Sequence, residues 1–314
     1  MARRPVPTTH PVHDQPARSG LVVAEVLRSL RPRQWTKNLI VFAGLIFGYR
    51  LREGEAVFAA FLAFVVFCAV SGVVYLVNDV RDRESDRVHP IKSRRPIAAG
   101  RLPTGMAMGV ALFIGAAALA AAFLLLPAPF GRITAAYLIL LSLYSISLKH
   151  VVILDVLTIA MGFVLRAWAG AAAVAVEFSH WLLLLTLLGA LFLGLSKRRA
   201  ELISLAGDPG HHRPILAKYS PYLLDQMIGI VAASALLGYA FYTTDEETVA
   251  KFGTDRLLWT VPFPLYGLFR YLYLVHQRGE GGDPSETLLT DRPLMICVVL
   301  WVAAVVLILY APAS

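Results

Sequence analysis

The chain has 314 residues, 57% hydrophobic and 16% charged, with a mean hydropathy of +0.64. Soluble domains hold about 45–50% apolar residues, so this composition excludes a water-soluble globule and indicates an all-α polytopic membrane protein. The net charge of +8 does not indicate a nucleic-acid partner, because the basic residues lie in short segments between apolar stretches and form no separate basic domain.

Residues 1–20 are rich in Pro, His and Arg and lack an apolar core, so they read as a disordered cytoplasmic tail and not as a signal peptide. His10 and His13 within it read as solvated. Residues 21–314 read as a single transmembrane catalytic domain, with no Gly/Ser linker to divide it. From Leu21 to Arg33, apolar Val22, Val23, Val26, Leu27 and Leu30 oppose Arg28, Arg31 and Arg33, the pattern of an interfacial amphipathic helix on anionic lipid. Apolar stretches follow at 38–50, 56–77, 104–126, 132–148, 151–175, 180–196, 221–243, 257–276 and 293–311, which predicts nine transmembrane helices.

Of the 29 Lys and Arg, only Arg50, Arg52, Arg132, Lys251 and Arg256 fall in alternate loops that would face outward. The bias places the N-terminus and the basic loops on the cytoplasmic side of the plasma membrane. Small residues at 107–122 and 169–175 permit close helix contact, within one chain or in a homo-oligomer. Cys68 and Cys297 both fall in apolar stretches and suggest neither a disulfide nor a metal site.

The run Asn78-Asp79-Val-Arg-Asp82-Arg-Glu-Ser-Asp86 directly follows the second apolar stretch. If that helix continues, Asn78, Asp82 and Asp86 are spaced i, i+4, i+8 with Asp79 three before Asp82, and four oxygen-bearing side chains crowd one face. Carboxylates so close repel unless a cation sits among them, and oxygen-only ligands suit Mg²⁺ better than zinc or copper. Arg87, Lys92, Arg94 and Arg95 come next, cations suited to an anionic substrate that the metal bridges. The combination points to diphosphate chemistry at a membrane surface.

This pattern, its place after the second span and its setting of Arg83 and Arg94-Arg95-Pro96 resemble the first acidic motif of the UbiA superfamily of intramembrane prenyltransferases. Members that prenylate aromatic rings carry a second aspartate-rich motif after the sixth span, whereas Ser196-Lys-Arg-Arg-Ala-Glu-Leu202 stands there in this chain. With Arg31-Pro-Arg-Gln-Trp-Thr-Lys-Asn38, Leu148-Lys-His150 and Leu165-Arg-Ala167, it resembles the phosphoribosyltransferase branch over about Leu30 to Tyr310. The resemblance implies transfer of 5-phosphoribose from phosphoribosyl diphosphate to a polyprenyl phosphate such as decaprenyl phosphate. Diphosphate would be released, and the product would lead to arabinan precursors of the cell wall. It implies Mg²⁺ on Asp79, Asp82 and Asp86 with Asn78 alongside, and Asp155 or Glu201 orienting ribose hydroxyls.

Several cations have two readings. Lys149 is a phosphate ligand or a charge anchor at a turn. Arg166 lies about 22 Å into a span at 1.5 Å per residue, where a charge needs a partner or a wet cavity; it binds ligand or pairs structurally with Asp225. Lys197, Arg198 and Glu201 form one helical-face cluster that binds substrate or bridges internally. Lys37 and Asn38 touch substrate phosphate or snorkel. Asp291-Arg292 opens the last span as a cap or as a functional pair, Tyr75 reads as cavity lining or packing, and His211 and His212 as non-ligands. The rival functions are an aromatic prenyltransferase of the same fold and a lipid or metabolite transporter.

Overall fold

A computed structural model of the chain describes residues 19–204, 214–279 and 284–310. The first 18 residues, most of the expected tail with His10 and His13, lie outside the described residues, as do His211 and His212. Among the described residues every regular element is helical. In chain order they begin with α1 (Ser19–Ser29), a 3-10 helix (Pro32–Phe42) and α2 (Ala43–Phe47). Next come α3 (Gly54–Arg81), α4 (Arg83–Val88), α5 (Thr104–Leu124), α6 (Ala128–Ile146), α7 (Leu154–Ala173) and α8 (His180–Ser204). Helices Pro221–Thr244, Glu246–Phe252, Pro262–Gln277, Pro284–Thr290 and Arg292–Tyr310 complete the bundle.

Seven of these are long and apolar enough to cross a membrane: α3, α5, α6, α7, α8 and the 221–244 and 292–310 helices. Two of the nine expected stretches do not form one long helix each. The stretch at 38–50 folds as the end of an 11-residue 3-10 helix and the five-residue α2. The stretch at 257–276 divides into a 3-10 turn, Arg256–Thr260, and a 16-residue helix opened by Pro262. Proline favours a helix start because its missing N–H needs no partner there, so Pro262 resets the helix inside the apolar run. At 1.5 Å per residue the later piece rises about 24 Å, short of a bilayer core of about 30 Å.

Two glycines explain the tight seat of the 38–47 segment. A Cβ on Gly170 of α7 would lie 2.0 Å from the Val41 carbonyl oxygen, and one on Gly44 would lie 2.6 Å from Ala171 Cα. The segment therefore rests on α7 backbone to backbone. On α5 the buried positions are Ala107, Ala111, Gly115, Ala118 and Ala122, a small-residue stripe that lets the helix lie close along α3. The remaining faces carry exposed Leu112, Phe113 and Leu124, as lipid contact requires.

The bundle closes through its last described residue. The Tyr310 hydroxyl donates to the Ile46 carbonyl at 2.9 Å and accepts from the Leu51 amide at 3.3 Å. Its ring stacks on Tyr49 with centroids 4.8 Å apart.

Candidate active site

α3 does not run unbroken through the acidic motif. It ends at Arg81, Asp82 leaves helical geometry (φ −87°, ψ 6°), and α4 restarts at Arg83. The four oxygen-bearing side chains therefore form two groups where an unbroken helix predicts one. Asp79 Oδ1 and Asp86 Oδ2 accept from the same Arg95 Nη1, at 3.0 and 2.6 Å, and Arg31 Nη2 donates to the same Asp79 oxygen. Asp82 pairs with Lys149 and accepts from Asn78 Nδ2 at 3.1 Å. Both Asp79 and Asp86 are buried, and burial raises the Asp86 carboxyl above its ordinary range while Arg95 and Lys92 pull it back. Of the remaining expected cations, Arg83 and Arg87 meet Glu84 at 3.3 and 3.1 Å, and Arg94 is exposed.

A second charged group forms where α7 begins and α8 ends. Arg198 is 2% exposed and donates through Nε to Asp155 Oδ2 and through Nη1 to Glu201 Oε2, both at 2.8 Å. The Tyr219 hydroxyl donates to Asp155 Oδ1 at 2.9 Å and accepts from the Ile153 amide at 2.7 Å. Asp155 has no exposed surface, and its two oxygens accept from Arg198 and Tyr219. Burial and the neighbouring carboxylate push the Tyr219 phenol up to about 12, so it keeps the proton it donates. Ile153 holds φ 70°, strained for a β-branched residue, and its N–H bond to Tyr219 fixes that turn.

Arg166 and Asn38 find each other. Arg166 donates from Nε to Asn38 Oδ1 at 2.8 Å, from Nη1 to the Gly162 carbonyl at 3.1 Å and from Nη2 to the Tyr137 hydroxyl at 2.5 Å. Asn38 Nδ2 donates in turn to Ser71 Oγ at 3.2 Å. The expected Arg166–Asp225 pair is not formed, because Asp225 lies with Arg199 and with His276 Nε2, 3.1 Å away. Asn38 is wholly buried and ties the 3-10 helix to α3 and α7. Arg166→Met should therefore lower stability by about 2 kcal/mol or more, since two buried polar partners lose their bonds, and leave the donor KM unchanged. Thermal unfolding in detergent beside steady-state kinetics checks this; a raised KM at unchanged Tm would return Arg166 to the substrate.

A cavity of about 960 Å³ follows α8 from Trp181 to Arg198, about 25 Å along the helix axis. Leu185, Leu193 and Leu268 line it together with Lys37; Lys197 and Arg198 line it toward the C-terminal end of α8, and Glu177, Asp245, Glu247 and Lys251 also reach it. Asp79, Asp82 and Asp86 are not among its lining residues. The end of α6 and the following turn connect the two charged groups, because Tyr144 accepts from Arg198 Nη2 at 3.4 Å and Lys149 holds Asp82. At the start of the last helix Asp291 accepts from Arg270 at 2.7 Å and caps that helix through the Leu294 amide at 2.9 Å.

Among the described residues no three Asp, Glu, His or Cys side chains converge as a metal cage. Asp79 and Asp86 nevertheless meet at one cationic nitrogen, so the chain offers an oxygen-only pair for a hard cation. Such a pair fits an ion that takes the rest of its shell from water and phosphate.

The model of the UbiA prenyltransferase family matches residues 38–283, well over half of the chain. The chain belongs to that family. A UbiA homolog from Archaeoglobus fulgidus, solved bound to DMAPP and Mg²⁺, has the same fold: TM-score 0.71 at 19% identity, covering 92% of this chain and 100% of that one. The decaprenyl-phosphate phosphoribosyltransferase of Corynebacterium glutamicum is 35% identical over 297 residues, 91% of this chain and 86% of the relative. The enzyme of the same name from Mycobacterium tuberculosis is 34% identical, over 90% of this chain and 94% of its own.

Within this UbiA bundle, sequence reasoning placed the three aspartates, Lys149 and Arg198 at the charged groups. It missed Arg31 on Asp79, Tyr219 on Asp155 and Tyr137 on Arg166. Each joins residues from distant elements, which no local spacing reveals.

Proposed function

We infer that the protein transfers 5-phosphoribose from phosphoribosyl diphosphate to a polyprenyl phosphate, decaprenyl phosphate in the named relatives, and releases diphosphate. The observation that carries this reading is Arg198. Where a prenyl-transferring site needs further carboxylates for metal, this chain holds a buried guanidinium in the wall of a largely apolar cavity that Lys197 and Lys37 also line. A donor with a diphosphate and a 5-phosphate calls for such a surplus of cations. The acceptor's apolar tail suits the cavity, and its phosphate suits these cations.

An acceptor phosphate oxygen bonds to C1 of the ribose as the C1–O bond to diphosphate breaks. The electron pair of that bond leaves with the diphosphate, and C1 inverts. The acceptor phosphate is already ionised near neutral pH, so no strong general base is needed. A divalent ion, Mg²⁺ by the hardness of the donor set, supplies charge neutralisation on the departing diphosphate. Asp79 and Asp86 would hold it, with Asp82 and Asn78 adjoining. Arg95 and Lys92 steer the donor's phosphates, Lys149 fixes Asp82, and Asp155 with Glu201 keeps Arg198 extended and charged. The basic bias of the loops supports a cytoplasmic orientation for this face, and the product would feed lipid-linked arabinose precursors of a cell wall.

The test is to incubate detergent-purified protein with radiolabelled phosphoribosyl diphosphate and decaprenyl phosphate, with Mg²⁺ or EDTA, and count label extracted into organic solvent. Metal-dependent label in an acid-labile lipid is expected. Label moving instead from a prenyl diphosphate onto an aromatic acid would make the protein an aromatic prenyltransferase.

A further inference from the structure

Arg31 is set on Asp79 with more care than a surface arginine needs. Its backbone is left-handed (φ 54°, ψ 64°), a conformation that non-glycine residues seldom hold, and Pro32 follows directly. The preceding Leu30 is wedged on α3, where a Cβ on Gly72 would come 2.7 Å from Leu30 Cδ2. The guanidinium lies over the Tyr75 ring, 4.7 Å from its centroid, and Tyr75 stands four residues before Asp79 on the same face of α3. Three points along α3 thus aim one arginine at one carboxylate.

That carboxylate oxygen is contested. Asp79 Oδ1 accepts from both Arg31 and Arg95, and a divalent ion that bonds the same oxygen has to displace at least one of them. Arg95 is also bonded to Asp86, whereas among the described residues the ion pair of Arg31 is with Asp79 alone. Arg31 is a quarter exposed and Asp79 only 2%, so the arginine reaches the carboxylate from the solvent side and has room to turn outward. Turned outward, it faces the phosphates that such an ion carries, and its planar fork matches two phosphate oxygens.

We propose that Arg31 exchanges partners during the reaction cycle, competing with the divalent cation for Asp79 and binding the donor's diphosphate once the cation is seated. The second half rests on the phosphoribosyl diphosphate reading above; the first half does not.

The test uses full-length protein in nanodiscs, wild type and Arg31→Gln, in two measurements. One is the Mn²⁺ dissociation constant without any substrate, read from the electron paramagnetic resonance of free Mn²⁺. The other is equilibrium binding of labelled phosphoribosyl diphosphate at saturating Mg²⁺. Arg31→Gln should bind Mn²⁺ about 3- to 10-fold tighter, the loss of one partly exposed ion-pair competitor, and bind the donor about 10-fold or more weaker. Binding of decaprenyl phosphate should not change. Arg31→Lys should retain most of the competition but lose donor affinity with the fork. Tyr75→Leu, which leaves the arginine in place but removes its rest, should also tighten Mn²⁺ and serves if Arg31→Gln does not fold. Unchanged or weaker Mn²⁺ binding in folded variants would overturn the exchange, and unchanged donor affinity would overturn the donor contact. Tighter Mn²⁺ in Arg31→Gln together with no phosphoribosyl diphosphate binding by wild type would leave the exchange standing and remove the assigned donor.

Discussion

Asp79→Ala and Asp82→Ala are each expected to lower turnover at least about 10³-fold, the scale of losing a charge-stabilising element at a reacting phosphate, while the protein still folds and inserts. The two losses have different origins. Removing Asp79 takes away the oxygen shared by Arg31 and Arg95, and with it one of the two carboxylates that meet at Arg95. Removing Asp82 frees Lys149, the link between the acidic motif and the α6–α7 turn. Stability should change little, because Arg31 and Arg95 are each a quarter exposed and can turn to water when their partner goes. Label transfer measured beside Tm in detergent separates the effects. Retained activity in both variants would remove the carboxylates from the chemistry.

Most of what positions this site is legible in the sequence where a local rule applies. Helical spacing brings Asp79 and Asp86 to one side even though the helix breaks at Asp82, because the break is one residue long and Asp86 N–H still bonds the Asp82 carbonyl at 2.8 Å. The small-residue stripe of α5 and the cap at Asp291 follow from local rules too. Long-range partners do not. Asp225 is as plausible as Asn38 for Arg166 when only burial cost is known, and the choice is made by Gly170 and Gly44, which draw the 3-10 helix against α7 and deliver Asn38 to the arginine. Hydropathy has the same limit: it counts apolar residues, but Pro262 opens a new helix inside the 257–276 stretch and the 38–50 stretch folds as a 3-10 end and a short helix.

The largest loss in both folding and function is expected at Arg198. Arg198→Ala leaves Asp155 buried without its cation, and breaking one side of a buried ion pair costs about 3–5 kcal/mol. Much of the protein would then fail to accumulate, and loss of activity alone would say little. The paired change Arg198→Met with Asp155→Asn removes both charges and keeps the volume, so stability should largely return. Turnover should not, if the guanidinium binds substrate phosphate in the cavity. A stable, active double variant would make the whole cluster a folding device and shift donor recognition to Lys197 and Lys37.

The Tyr310 hydroxyl bonds a carbonyl 264 residues earlier in the chain. During synthesis this bond becomes available only after residue 310 is translated, long after α2 has left the ribosome. Until then the 36–48 segment and Trp301 cannot face each other across the cavity that both line. A nascent chain arrested before its last helix therefore offers that apolar interior sideways to the bilayer. Chaperoning by membrane lipid, and quality control of unfinished copies, would both act on that open flank.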